Sequence, residues 1–154
     1  MSTTPKAIHG SFTLERVYDA TPARLFRAFA DPQAKARWFA GPAGWQEIHR
    51  EMDFRVGGQE IAHGRFPNGM ESKFVARYHE IVPNERIVYV YDMHALGGFM
   101  SVSLATIEFT AQGSGKTMLR ITEQGVFIDG NDGNASRREG TEFLMGQIAA
   151  NLPD

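Results

Sequence analysis

The residues that could do chemistry here are few, and strand parity picks them out. In TMLRITE, residues 117–123, alternation puts Glu123 on the face that carries Leu119 and Ile121. A strand that buries those two apolar side chains therefore turns a carboxylate inward. Such a group serves as a general acid or base, or as the polar anchor of a bound molecule. The competing arrangement has Glu123 close to the strand end, paired with a surface cation. His63 shares the parity of Ile61, which makes it either a second proton-transfer candidate or a histidine satisfied at the rim of the core. Tyr89 and Tyr91 share the parity of Ile87 and Met93, so their hydroxyls meet either a buried ligand or water at the rim.

Other constellations fail on spacing. GSGKT, residues 113–117, looks like the tail of a phosphate-binding loop, but that motif needs a glycine where Thr110 stands and a helix where 118–123 reads as a strand. A hairpin turn accounts for it. The five histidines, His9, His49, His63, His79 and His94, show no i, i+2 or i, i+4 pairing and no HExxH, so no metal site is expected. No GxSxG elbow is present, which leaves a serine triad unsupported. With no cysteine, thiol catalysis, thiolate metal sites and disulfides are excluded. Nothing in the sequence calls for a cofactor.

The elements that must hold these residues are legible from period and turn chemistry. Residues 11–19 read as a half-buried opening strand. Thr21-Pro22 and Asp31-Pro32 are two successive helix starts, each followed by a short helix, the second ending before Gly41-Pro42. From residue 46 onward the pattern is strands separated by turns: 46–56, 59–66, 71–82, 86–93, 99–111 and 116–125. In the first of these, Glu47, His49, Glu51 and Asp53 alternate with Ile48, Met52 and Phe54. The acidic row belongs outside, because clustered carboxylates cannot all ionise in an apolar space. After GNDGN, residues 136–152 carry Leu144, Met145, Ile148 and Leu152 on one face of a closing helix. The expected fold class is therefore α+β: a seven-stranded antiparallel sheet, two short helices between strands one and two, and a long C-terminal helix to cover one face.

At 154 residues the chain is expected to be a single domain, 1–154, with its core in 11–152, and the composition is that of an ordinary soluble protein. A formal net charge of -2 provides no field for nucleic acid or an anionic membrane. The N-terminal stretch MSTTPKAIHGSF lacks the apolar run of a secretory signal, and no run reaches membrane-spanning length, so a cytoplasmic location is expected. Without secretion, the sequon at Asn134 has no consequence. Eleven Phe, four Tyr, two Trp and seven Met supply large, adaptable apolar surface, enough either to fill a core or to line a cavity. An exposed sheet edge leaves room for a homodimer without specifying one.

The stretches TPARLFRAFADPQAKARWF, EMDFRVGG, YHEIVPNERIVYVY, TMLRITEQGVF and EGTEFLMGQI, in this order, resemble the SRPBCC superfamily. Within it the chain is similar to the group named after the activator of heat-shock protein 90 ATPase homologue. The resemblance implies a START-like helix-grip fold, with the sheet curled around the last helix and an internal cavity between them. It also implies that RWFAGPAGW, residues 37–45, with both tryptophans of the chain, sits at the lid of that cavity, plugging it or touching its contents. Where the family often has Gly-Trp near the start of the last helix, this chain has Gly140-Thr141, which enlarges the cavity unless Phe143 compensates. Arg55, beside the Gly57-Gly58 turn, is expected to have a structural role.

These readings converge on a pocket lined by Trp38, Phe39, Phe54, His63, Phe74, Tyr78, Tyr89, Tyr91, Ile107, Leu119, Ile121, Glu123, Leu144, Met145 and Ile148. The expected function is binding of a small hydrophobic or aromatic molecule. The alternatives are a cyclase- or hydrolase-type enzyme using Glu123 and His63, and a co-chaperone-like interaction module.

Overall fold

The computed structural model describes residues 3–95 and 98–154, so the first two residues of the N-terminal stretch lie outside it. The order is β1 (Ile8–Tyr18), α1 (Pro22–Ala30), α2 (Pro32–Trp38), β2 (Gln46–Met52), β3 (Gln59–Arg65), β4 (Glu71–Val82), β5 (Arg86–Ala95), β6 (Gly98–Ala111), β7 (Thr117–Phe127) and α3 (Asn134–Ala150). The strands form one seven-stranded sheet in the order β1-β7-β6-β5-β4-β3-β2, and every ladder is antiparallel. This is the helix-grip arrangement. Among the described residues no helix is long and apolar enough to cross a membrane.

Both short helices start as their sequences dictate. Thr21 Oγ1 accepts from Arg24 N at 3.2 Å and Asp31 Oδ1 from Gln33 N at 3.0 Å, with proline in the first turn of each helix. GSGKT is the β6–β7 hairpin connection, with Gly113 and Gly115 at positive φ and Gln112 N donating to Lys116 O. Helix α3 is tied across the sheet by Tyr18, whose hydroxyl donates to Met145 O at 2.7 Å, and by Asn134 Nδ2, which donates to Ser11 O at 3.1 Å.

Two expectations need correction. Strand β2 ends at Met52 rather than at residue 56. The chain then turns through Gly58, where a Cβ would lie 2.0 Å from Asp53 O, and Phe54 leaves the ladder to pack edge-on against Phe26 and Tyr78. Beside that turn, Arg55 Nε donates to Asp53 Oδ2 at 2.7 Å. As a bulged edge strand β2 buries little: Glu47 and Glu51 are exposed as expected, and so is Ile48 on the opposite face. The second correction concerns β3. Its inward residues are Glu60, Ala62 and Gly64, so Ile61 and His63 belong to the outer face.

The inner face of the sheet is not uniform, and β6 shows why. Its inward residues run Phe109, Ile107, Ala105, Ser103, Ser101, all buried, and they change from large to small along the strand. The large end meets Ile87, Leu119 and the rings of α1 in the main core, which Ile121 borders on the cavity side. The small end belongs to a separate, thinner cluster of Ala62, Phe74, Ala76, Tyr91 and Ala105. A cavity opens at that end.

Candidate functional site

Between the small end of the sheet, helix α3 and the α2–β2 loop lies a cavity of about 570 Å³. That volume is in the range of small-molecule pockets. Its walls include Trp38 from α2 and Phe39 just after it, Phe74 from β4, Tyr89 and Tyr91 from β5, Ile107 from β6, Ile121 and Glu123 from β7, and Leu144, Met145 and Ile148 from α3. Four residues expected on the wall stand elsewhere. Phe54 and Tyr78 pack against each other beneath α1, and Leu119 is sealed in the solid core. His63 is on the outer face, where its Nε2 lies 2.8 Å from Glu71 Oε1. Parity misled because Ile61, the apolar residue used to orient β3, itself faces outward.

Aromatic rings form most of the apolar wall. Phe39 meets Phe74 edge-on at 4.9 Å, and Phe74 meets Tyr91 at 4.8 Å. Trp38 is fixed from the far side: its Nε1 donates to Ala28 O at 2.8 Å and its ring packs on Phe29 at 4.9 Å. Trp45 has a different role. It lies across β3 so closely that a Cβ at Gly64 would sit 1.8 Å from its ring, so only glycine admits it there. The two tryptophans of the 37–45 loop thus brace opposite flanks of the cavity, one against α1 and one against the sheet. Gly41, Pro42, Phe66, Met70 and Phe143 complete that end of the wall. Met70 and Phe143 are 41% and 46% exposed, which identifies this end as the mouth.

The polar end lies deeper. Tyr91 Oη donates to Glu123 Oε1 at 2.5 Å and accepts from Arg137 Nη1 at 3.0 Å. Arg137 also donates to Ser103 Oγ at 3.3 Å and Ser101 Oγ at 2.8 Å, and its guanidinium stacks over the Tyr91 and Phe127 rings. Burial pushes the Glu123 carboxyl above its ordinary value, opposed by the Tyr91 hydrogen bond and the Arg137 charge. Burial, reinforced by the negative field of Glu123, likewise pushes the hydroxyls of Tyr89 and Tyr91 well up. All of them are wall residues, so the site combines a protonatable carboxyl with neutral phenols at the inner end of an apolar chamber.

Arg137 escaped the sequence reading, yet its spacing marks it. Residues 137, 141, 144, 145 and 148 lie on one helical face, and the cavity-facing stripe of α3 begins two turns before its first apolar residue. Thr141 lies on this stripe, buried, with Oγ1 donating to Arg137 O at 2.9 Å. Gly140, Thr141 and Phe143 all line the chamber, Thr141 buried and Phe143 exposed at the mouth. A second polar group also went unforeseen. Lys35 Nζ and Glu60 Oε1 are 2.7 Å apart, at 4% and 1% exposure, with the Tyr78 hydroxyl also donating to Glu60. Lys35 lies 4.7 Å from the centre of the Phe39 ring, behind the wall rather than on it.

The sequence model described as "Activator of Hsp90 ATPase homolog 1-like protein" matches residues 19–153. Among solved structures, the chain is 39% identical to an uncharacterised protein from Rhizobium leguminosarum, covering 96% of both chains with a TM-score of 0.89. It is 41% identical to a protein from Rhizobium loti, covering 96% of this chain and 99% of that one with a TM-score of 0.87. A protein from Chromobacterium violaceum is 33% identical over 94% of this chain and 98% of its own, with a TM-score of 0.75. No curated protein matches the chain.

Proposed function

The chain belongs to the Activator of Hsp90 ATPase homolog 1-like family, within the SRPBCC superfamily, and on that premise we propose that it binds a small, largely apolar, aromatic-bearing molecule in the cavity under α3. The observation that carries this reading is the chamber itself: about 570 Å³ walled by aromatic and aliphatic side chains, with a few polar groups gathered at one end. Removing apolar ligand surface from water contributes roughly 25 cal/mol per Å², so a two-ring ligand gains several kcal/mol before any polar contact is made. Trp38, Phe39 and Trp45 stand where they contact such a molecule on its way in. A panel of apolar aromatic compounds titrated against methyl-labelled protein tests the proposal. Saturable shifts at Ile121, Leu144, Met145 and Ile148 support it; shifts on the outer face of the sheet alone, or none at all, overturn it.

One observation favours a catalytic variant of the same reading. Glu123, raised in pKa by burial and bonded to Tyr91, has the environment of a tuned acid or base. In that case Glu123→Gln abolishes turnover of a bound ester or cyclisable ketone while leaving its affinity within a few-fold. Unchanged turnover removes Glu123 from any such reaction.

A further inference from the structure

Two polar atoms on the cavity wall have no protein partner among the described residues. Glu123 Oε1 is taken by Tyr91, but no donor reaches Oε2. Tyr89 also lines the cavity, and its hydroxyl makes no hydrogen bond. Neither atom is sealed from solvent: the one buried side-chain polar atom lacking a partner among the described residues is Glu60 Oε2, elsewhere. The register places the two in one row. Tyr89 pairs with Ala105, and Ala105 with Glu123, so they flank one small residue in a single cross-strand row on the inner face. Adjacent strands are about 4.8 Å apart, so the two backbones are about 10 Å apart, with only the small Ala105 side chain between them.

The cations near this row are already committed. The Arg137 amino groups point at Ser101, Ser103, Tyr91 and the Met100 sulfur, so the two-pronged fork that would clamp a carboxylate is spent on the protein. Lys35 is bound to Glu60 behind the Phe39 ring. An anionic ligand head would add a second negative charge beside Glu123, with the single Arg137 charge on this wall to serve both, in a place where burial already disfavours one carboxylate. An uncharged hydroxyl fits both vacancies, giving its proton to Glu123 Oε2 and accepting one from Tyr89 Oη.

We infer that Tyr89 and Glu123 form a recognition pair for a neutral hydroxyl group, and that the ligand is an alcohol or phenol rather than a carboxylate or phosphate. The inference rests on the cavity being a ligand site, as proposed above. It adds which end of the ligand goes deepest and what that end must be.

Three probes of one shape test it: 2-naphthol, 2-naphthoate and 2-methylnaphthalene, titrated at pH 7 against the protein and against the variants Tyr89→Phe and Glu123→Leu. The expected result is that 2-naphthol binds about tenfold or more tightly than either other probe, since two hydrogen bonds to otherwise unpaired wall groups are together worth about that factor. Each variant should remove most of this advantage while leaving the affinity for 2-methylnaphthalene within about threefold. Tyr89→Phe deletes one atom and keeps the fold, so the test survives even if Glu123→Leu does not fold. Equal binding of all three probes, or tighter binding of 2-naphthoate, overturns the inference and leaves the cavity proposal standing. Failure of all three to bind overturns both.

Discussion

The two ends of one sheet face are built to opposite specifications. At one end Phe109 of β6 packs with Ile87, Leu119 and the ring of Phe26 in the main core, with Ile107 and Phe29 at its border with the chamber. At the other end the same strand offers Ala105, Ser103 and Ser101, and the space over them is shared between a polar cluster and a chamber. Interiors pack to crystal-like density wherever side chains suffice, so a chamber persists only where the sequence withholds volume. A helix-grip sheet therefore becomes a container through small residues at particular inward positions, with curvature alone insufficient. Helix α2 bridges the two ends, with Trp38 packed on the solid side against Phe29 and Phe39 on the hollow side against Phe74.

The largest expected effect is at that bridge. Lys35→Met strands the Glu60 charge in the interior, and breaking a buried pair in this way costs about 3–5 kcal/mol. Urea denaturation reads the loss, and a change below 1 kcal/mol would mean that the Lys35–Glu60 pair carries little of the fold's stability. Next come matched truncations that sharpen the contrast. Leu119→Ala in the solid end should cost about 2–5 kcal/mol, whereas Leu144→Ala, which widens a chamber already present, should cost less than about 2 kcal/mol. Equal costs would mean that the chamber closes up in solution.

A third variant erases the contrast by filling the hollow end. Thr141→Trp projects a large ring from the cavity stripe of α3 and should weaken binding of 2-methylnaphthalene at least tenfold, measured by calorimetry, with the fold retained by circular dichroism. Retained affinity would place the ligand elsewhere. The smallest effect is electrostatic. Below its ordinary value of 4.5 the Glu123 carboxyl is protonated in folded and unfolded chains alike. As pH rises the unfolded chain ionises first and the folded chain holds its proton, so the parent loses stability until the folded group has ionised too. Glu123→Gln has no such dependence, so its stability relative to the parent should rise from pH 4 towards neutrality. A flat difference would show that burial imposes no penalty on that charge.

Much of this architecture was legible in the sequence because local signals and the fold agree. The Thr21-Pro22 and Asp31-Pro32 helix starts, the hairpin glycines and the parity of β5 and β7 each specify geometry without tertiary help. Tyr89, Tyr91 and Glu123 face inward as alternation requires, because long strands paired on both sides have no freedom to slip. The reading failed where tertiary partners overrule local pattern. His63 was misplaced since β3 turns a glutamate inward, and no local signal reveals that Lys35, on α2, waits to pair with it. Phe54 was assigned to the cavity because the turn through Gly58 cannot be told from a continuing strand by apolar spacing alone. Aromatic content and the resemblance both point to a hollow, but neither places it. Its physical cause, three small inward residues in succession on β6, was present in the sequence as SVSLA, a stretch that reads as an ordinary strand until its register is known.

The central claim is that the small-residue end takes up a guest and the large-residue end does not. Methyl-resolved NMR during titration with 2-methylnaphthalene tests this most directly. The account predicts saturable shifts at Ile121, Leu144, Met145 and Ile148, none at Leu25 or Leu119, and loss of all of them in Thr141→Trp. Shifts centred on Leu25 and Leu119, or undiminished by Thr141→Trp, would contradict it.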